Sequence, residues 1–148
     1  MENNFMLLAI EEAKKALNHS DIPVGAVIVK NGEIIATAHN TKEEKNNPTH
    51  HAEINVITKA CNKLGRWRLS DCDLYVTLEP CVMCTGAILE SRIKSVYFGA
   101  YDKSRGAMGT VLELSALKQP SYPIVYGGIM EDECSKILNN HFKNSRTK

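Results

Sequence analysis

Four residues of this 148-residue chain have types and spacings suited to metal chemistry. They are Cys81 and Cys84 in "LEPCVMC", and His51 and Glu53 in "THHAEI". Positions i and i+3 share a helix face, so the two thiols can act together. Pro80 precedes them and sets both in a first helical turn, where the helix dipole favours thiolates. Alone, this pair suits a redox dithiol, half of a structural zinc knot, or a catalytic metal centre.

His51 and Glu53 separate these readings. Zinc takes four ligands, and one His with two Cys supplies three, which leaves a position for water. A redox dithiol would leave His51 and Glu53 idle. A structural knot would need a fourth donor from His50, Cys61, Cys72 or Cys134, and none of these forms a second close pair. Catalytic Zn²⁺, one per chain, is therefore the reading we carry forward. Two thiolates cancel the charge of the ion, so it acidifies water less than a dicationic site would. A carboxylate that moves protons, Glu53, compensates. Only His51 gives the H-x-E spacing, because the residue two beyond His50 is Ala52. Residues i and i+2 do not share a helix face. His51 and Glu53 can meet at one site only if that site lies off the helix end.

The elements that must hold these residues are legible. Apolar residues from Phe5 to Leu17 recur at helical spacing and predict a helix over 4–18. "IPVGAVIVKNGEIIATAHN" reads as two strands joined by Asn31-Gly32, a hairpin. A polar loop runs over 40–49. Helical spacing resumes over 52–64, with Gly65 as the cap. A strand at 73–78, a helix at 81–91 and a strand at 94–100 follow. After a loop to about Gly109, "PIVYGG" reads as a last strand and "EDECSKILNNHF" as a last helix. Strand–helix–strand order implies a parallel pair with a right-handed crossover. The expected architecture is α/β: a three-layer α/β/α fold with a central mixed five-stranded sheet flanked by helices. Residues 1–148 read as a single domain. Cys61 and Cys134 fall among apolar helical residues and read as small buried hydrophobes.

Composition narrows the class. Apolar residues make up 43% and charged residues 24%, which suits a globular chain and not a disordered one. The formal net charge is +1, so the whole-chain balance does not announce a nucleic-acid binder. The C-terminal "NNHFKNSRTK" is locally basic, with Lys143, Arg146 and Lys148 around Phe142. It reads equally as a solvated end or a nucleic-acid contact. No apolar run is long enough for a bilayer, and the N-terminus lacks signal-peptide features. A cytoplasmic location is the default.

H-x-E followed by P-C-x-x-C is the signature of zinc nucleobase deaminases. Here it is His51-Ala52-Glu53 and Pro80-Cys81-Val82-Met83-Cys84. Beyond it, "IPVGAVIV", "NPTHHAEI", "LGRWRLSDCDLYVTLEPCVMC", "SRIKSVYFGAYD" and "GIMEDECSKILNNHF" resemble the bacterial tRNA adenosine deaminases of the cytidine/deoxycytidylate deaminase superfamily. The resemblance implies a cytidine-deaminase-like fold, zinc on His51, Cys81 and Cys84, and hydroxide on that zinc attacking adenine C6. It implies Glu53 as the proton shuttle, so that wobble adenosine becomes inosine and ammonia leaves. It places Asn40, Val24 and Ala52 at the substrate, and implies a homodimer that takes the tRNA anticodon loop. Three stretches depart from the family pattern: His50, Ser104 in the 102–110 loop, and 119–126. They lie outside the zinc motif and bear on the substrate. The alternative is a deaminase of a free nucleobase or nucleoside, such as guanine or cytosine, with the same zinc chemistry.

Overall fold

Asn31 and Gly32 both take left-handed backbone, φ 50° and 76°, as a two-residue type I′ turn requires. They join β1 (Gly25–Lys30) to β2 (Glu33–His39), antiparallel, with a bulge between Ile28 and Val29. The computed structural model describes residues 2–117 and 121–146, with side chains over 3–117 and 121–144. Of the stretches singled out above, Gln119, Pro120, Lys148 and the Arg146 side chain lie outside the described residues.

Three further strands, β3 (Asp73–Leu78), β4 (Ser95–Ala100) and β5 (Ile124–Tyr126), complete one sheet in the order β2-β1-β3-β4-β5. β1 is antiparallel to β3, while β3, β4 and β5 run parallel. The sheet is mixed and five-stranded, as the sequence implied. Four helices flank it: α1 (Glu2–Lys15), α2 (Ala52–Leu64), α3 (Val82–Ser91) and α4 (Glu131–Arg146).

The layers follow from strand alternation. Phe5 of α1 packs on Tyr75 with centroids 5.2 Å apart. Tyr75, Tyr97 and Tyr126 stack across the parallel strands at 4.5 and 4.7 Å. Gly99 lies two residues beyond Tyr97, hence on the same face, and a Cβ there would meet Cys134 of α4. So α1 and α4 share one face. Leu74, Val76 and Val96 point the other way and are fully buried. They lie under α2 and α3, which touch each other.

Several boundaries differ from the sequence reading: β4 starts at Ser95 and not 94, β5 covers only Ile124–Tyr126, and α4 runs past 142 to Arg146. The first α-helix covers 2–15 and not 4–18; its continuation, Ala16–His19, tightens to a 3-10 turn. Ser20, left-handed at φ 64°, ends that turn, and its N–H reaches back to Leu17. The third helix starts at Val82, so Cys81 is the residue just outside it.

Gly25 is where α1 crosses the sheet. A Cβ there would drive into the backbone of Ala9 and Ala13. Gly25→Ala should destabilise the fold by about 1–3 kcal/mol through overpacking. Gly86, on α3, has open space around it, and Gly86→Ala should instead stabilise by about 0.5–1 kcal/mol from helix propensity. Urea unfolding of both variants checks the contrast.

Candidate active site

His51 and Cys81 occupy equivalent positions. Each is the extended residue just before a helix: His51 at φ −71°, ψ 159° before α2, and Cys81 at φ −78°, ψ 179° before α3. Neither side chain caps its own helix. Both are therefore free to turn outward from the helix ends. Cys84 follows within the first turn of α3. His51 Nδ1 lies 3.7 Å from Cys81 Sγ and 3.5 Å from Cys84 Sγ. Tetrahedral zinc, with Zn–N of about 2.0–2.1 Å and Zn–S of about 2.3 Å, sets its N and S ligands about 3.6 Å apart. The three donors, all within 4.8 Å of one another, thus have the spacing that one zinc ion needs.

The electrostatics agree. Two helix N-termini point their positive ends at this spot. Among the protein groups alone, hydrogen bonds from Cys84 and then His51 outweigh burial and hold the Cys81 thiol down, at about 3. Cys84 moves the opposite way, pushed up by its hydrogen bond to Cys81 and by burial. His51 is raised, first by its hydrogen bond to Cys81. A divalent cation among the donors would hold both sulfurs as thiolates. Glu53 is 5% exposed, and burial pushes its carboxyl up to about 7. A carboxyl poised near neutrality is suited to taking and returning protons.

His51, Glu53 and Cys81 line one cavity of about 570 Å³. Val24, Asn40 and Ala52 line it too, together with Leu78 and Ala100 at the carboxyl ends of β3 and β4. Asn40 has structural work as well: its amide donates to the Ile22 carbonyl at 3.2 Å and accepts from Lys42 N–H at 3.1 Å. His50 is not in this group; it lines a separate cavity behind the loop. Cys134 is buried, as the sequence suggested, but Cys61 is only half-buried.

Two features were not read from the sequence. The first is that α4 walls the cavity, through Glu131, Ser135, Leu138, Asn139 and Phe142. The second is Glu79, 1% exposed. Its carboxylate accepts the backbone N–H groups of Asp102, Met108 and Thr110 and the Thr110 hydroxyl. The clue to Glu79 was its place beside Pro80, in a strand end that had to be buried. The Ser104 departure is local, since Ser104 N–H and hydroxyl both bond Asp102 Oδ1.

The family described as "Cytidine and deoxycytidylate deaminase zinc-binding region" matches residues 1–100, which contain all four motif residues. The chain belongs to this deaminase family. Its domain is thus a zinc-binding deaminase domain, and the His-Cys-Cys group is where it could hold the metal. A tRNA-specific adenosine deaminase of Bacillus subtilis is 46% identical over 97% of this chain and 90% of its own. One from Aquifex aeolicus is 42% identical over 96% of this chain and 94% of its own. A solved structure from studies of A-to-I editing by tRNA:A34 deaminases superposes with TM-score 0.87. It has 44% identity and covers 91% of this chain and 99% of that one. A guanine deaminase from Bacillus subtilis superposes with TM-score 0.65 at 43% identity, over 72% of this chain and 69% of its own.

Glu79→Ala should orphan the N–H groups that its carboxylate binds in this deaminase. The expected cost is about 2–4 kcal/mol, since each buried donor left unpaired costs about 1–3 kcal/mol. Amide exchange at Met108 and Thr110 should quicken more than exchange in β1, and equal protection in both regions would contradict the anchoring role.

Proposed function

We propose that this chain is a zinc-dependent hydrolase that deaminates adenosine to inosine at the tRNA wobble position. The observation that carries the reading is Glu53, buried beside a zinc-spaced His-Cys-Cys group on the wall of a cavity open to a base. His51, Cys81 and Cys84 would hold Zn²⁺, which when bound makes water nucleophilic at neutral pH. Glu53 takes a proton from the attacking water and passes it to the purine ring nitrogen. It then carries a second proton to the departing amine, so water adds at C6, the C6–N bond breaks, and ammonia leaves. Val24 and Ala52 give the base an apolar wall, and Asn40 meets the nucleoside with the amide hydrogen not used in the loop. The 1–148 domain is taken to work in the cytoplasm as a homodimer, with the anticodon loop as substrate. Among the described residues no helix is long and apolar enough to cross a membrane.

The alternative substrate, a free base, has one supporting observation, the 43% identity to a guanine deaminase. That likeness covers 72% of this chain, whereas the likeness to the Bacillus subtilis tRNA-specific adenosine deaminase covers 97%. The tRNA reading therefore accounts for more of the molecule, and α4, which supplies Phe142 to the cavity, suits a larger substrate.

An ammonia-release assay tests the choice. Turnover is expected on an adenosine-bearing anticodon stem-loop and not on free adenosine, cytosine or guanine. Turnover confined to a free base would overturn the tRNA reading. Glu53→Gln should retain zinc and lose at least about 100-fold in kcat, the usual minimum for a general acid–base group. A variant within about tenfold of the parent would remove Glu53 from the proton path.

A further inference from the structure

Behind the loop that leads to His51, a second set of donors converges. His19 ends the 3-10 turn after α1, His39 ends β2, and Glu44 sits in the 40–51 loop. One ligand atom from each lies within 4.8 Å of the others. Their hydrogen bonds fix what those atoms are. Asp21, 1% exposed, accepts Glu43 N–H on Oδ1 and Glu44 N–H on Oδ2. Its Oδ2 also lies 2.6 Å from His19 Nδ1. Glu12 accepts Lys15 and Thr37 on Oε1 and faces His39 Nδ1 with Oε2 at 2.9 Å. Both carboxylates act as acceptors in these contacts, so hydrogen is placed on both Nδ1 atoms, a tautomer assigned from the network.

The consequence falls on the other ring nitrogens. With Nδ1 protonated, each neutral imidazole offers a lone pair at Nε2. The two Nε2 atoms face each other at 3.4 Å, and Glu44 Oε2 lies 2.6 Å from that of His19. Three acceptors that face one another need a positive charge among them. A proton can supply it, and so can a metal ion. Tetrahedral zinc sets two imidazole nitrogens about 3.3 Å apart, close to the spacing present. The backing carboxylates are those that orient ligating histidines and raise their basicity. Glu44 alone must adjust, by drawing back from its 2.6 Å contact, and its side chain is more than one-third exposed.

We propose that His19, His39 and Glu44 form a second, exchangeable site for a divalent transition ion, separate from the deaminase zinc. Two imidazoles and a carboxylate suit Zn²⁺, Co²⁺, Ni²⁺ or Cu²⁺ rather than Ca²⁺ or Mg²⁺. The site opens on a cavity of about 620 Å³ that His50 also lines. The histidine that departs from the family pattern thus lines the same cavity as the cluster. Three lysines line the same cavity, and each is engaged: Lys15 by Glu12, Lys45 by Glu44 and Lys59 by the Thr37 carbonyl. An ion here would staple the end of the first helix, the end of β2 and the 40–51 loop together. It displaces a proton from the cluster as it binds.

The test is a Co²⁺ and Zn²⁺ titration of the full chain, read by absorbance and by metal analysis. The first equivalent should show thiolate-to-cobalt charge transfer from Cys81 and Cys84. A second equivalent should bind without it, because its donors are nitrogen and oxygen. His39→Gln or Glu44→Gln should weaken the second equivalent by at least about tenfold, the loss of one ligand, and leave the first in place. Should a variant fail to fold, the parent protein still decides the matter, since zinc must shift the Nε2 resonances of His19 and His39 in its nitrogen spectrum. Binding that stops at one equivalent, a second equivalent untouched by both substitutions, or unmoved Nε2 resonances would each overturn the proposal. None of these readouts depends on which base the enzyme deaminates.

Discussion

The candidate site depends on one constraint: two helices begin at the same point, and the last residue before each of them is one that could hold a metal ion. A histidine inside α2 could not share its face with Glu53, because i and i+2 point apart. His51 escapes this by standing outside the helix in extended backbone, while Glu53 belongs to the first turn. Cys81 uses the same device ahead of α3. The backbone change at the helix boundary is what brings the His51 imidazole and the Glu53 carboxylate to one place. It also aims two sets of unpaired N–H groups at a spot that collects negative charge.

The sheet brings the two helix starts together. β3 and β4 are parallel, so α3 must cross between them, and its N-terminus has to follow the carboxyl end of β3. Ligand sites in such sheets lie at the carboxyl ends of the strands. Leu78 and Ala100, paired in register at those ends, line the cavity accordingly. Glu79 then does for the third wall what the helix boundaries do for the first two. A buried carboxylate facing several backbone N–H groups shapes the 102–110 loop from within, in a segment that has no regular secondary structure beyond one isolated bridge.

How much of this was legible in the sequence varied with the range of the forces involved. The helix over 52–64 and the strand over 73–78 were read to the residue, because periodicity, Gly65 and flanking turns are local signals. The His-Cys-Cys group that could hold a metal was legible as a candidate because residue types at short spacing restrict the chemistry. The cavity wall built by α4 was not, since the pattern around Ile137 and Leu138 shows an apolar face without saying what the opposite edge meets. The pairing of His19 with His39 was hidden for the same reason: 20 residues separate them, and only the fold of α1 against the hairpin brings them within 3.4 Å. Glu79 lay in plain view beside Pro80, but its partners are 23 to 31 residues away.

The near-neutral net charge does not announce a polyanionic substrate, and the structure shows why the whole-chain balance is too coarse a measure. Counterion release depends on the cations that meet phosphates, not on the chain total. Lys42, Lys103 and Arg105 are exposed where they line the candidate active cavity. Asp102, beside Lys103, has Oδ1 occupied by Ser104 and by Arg105 N–H, so part of its acceptor capacity is spent within its own turn, while exposed Glu43 adjoins Lys42. Glu131 is the acid that opposes these cations from α4. Some of the remaining acidic groups are engaged elsewhere: Glu12 and Asp21 face histidines, and Asp71 pairs with Arg66. A chain balanced overall can therefore present local positive charge around the one cavity that holds Glu53. Phe142, 44% exposed on its wall, offers the flat apolar surface on which a base can stack.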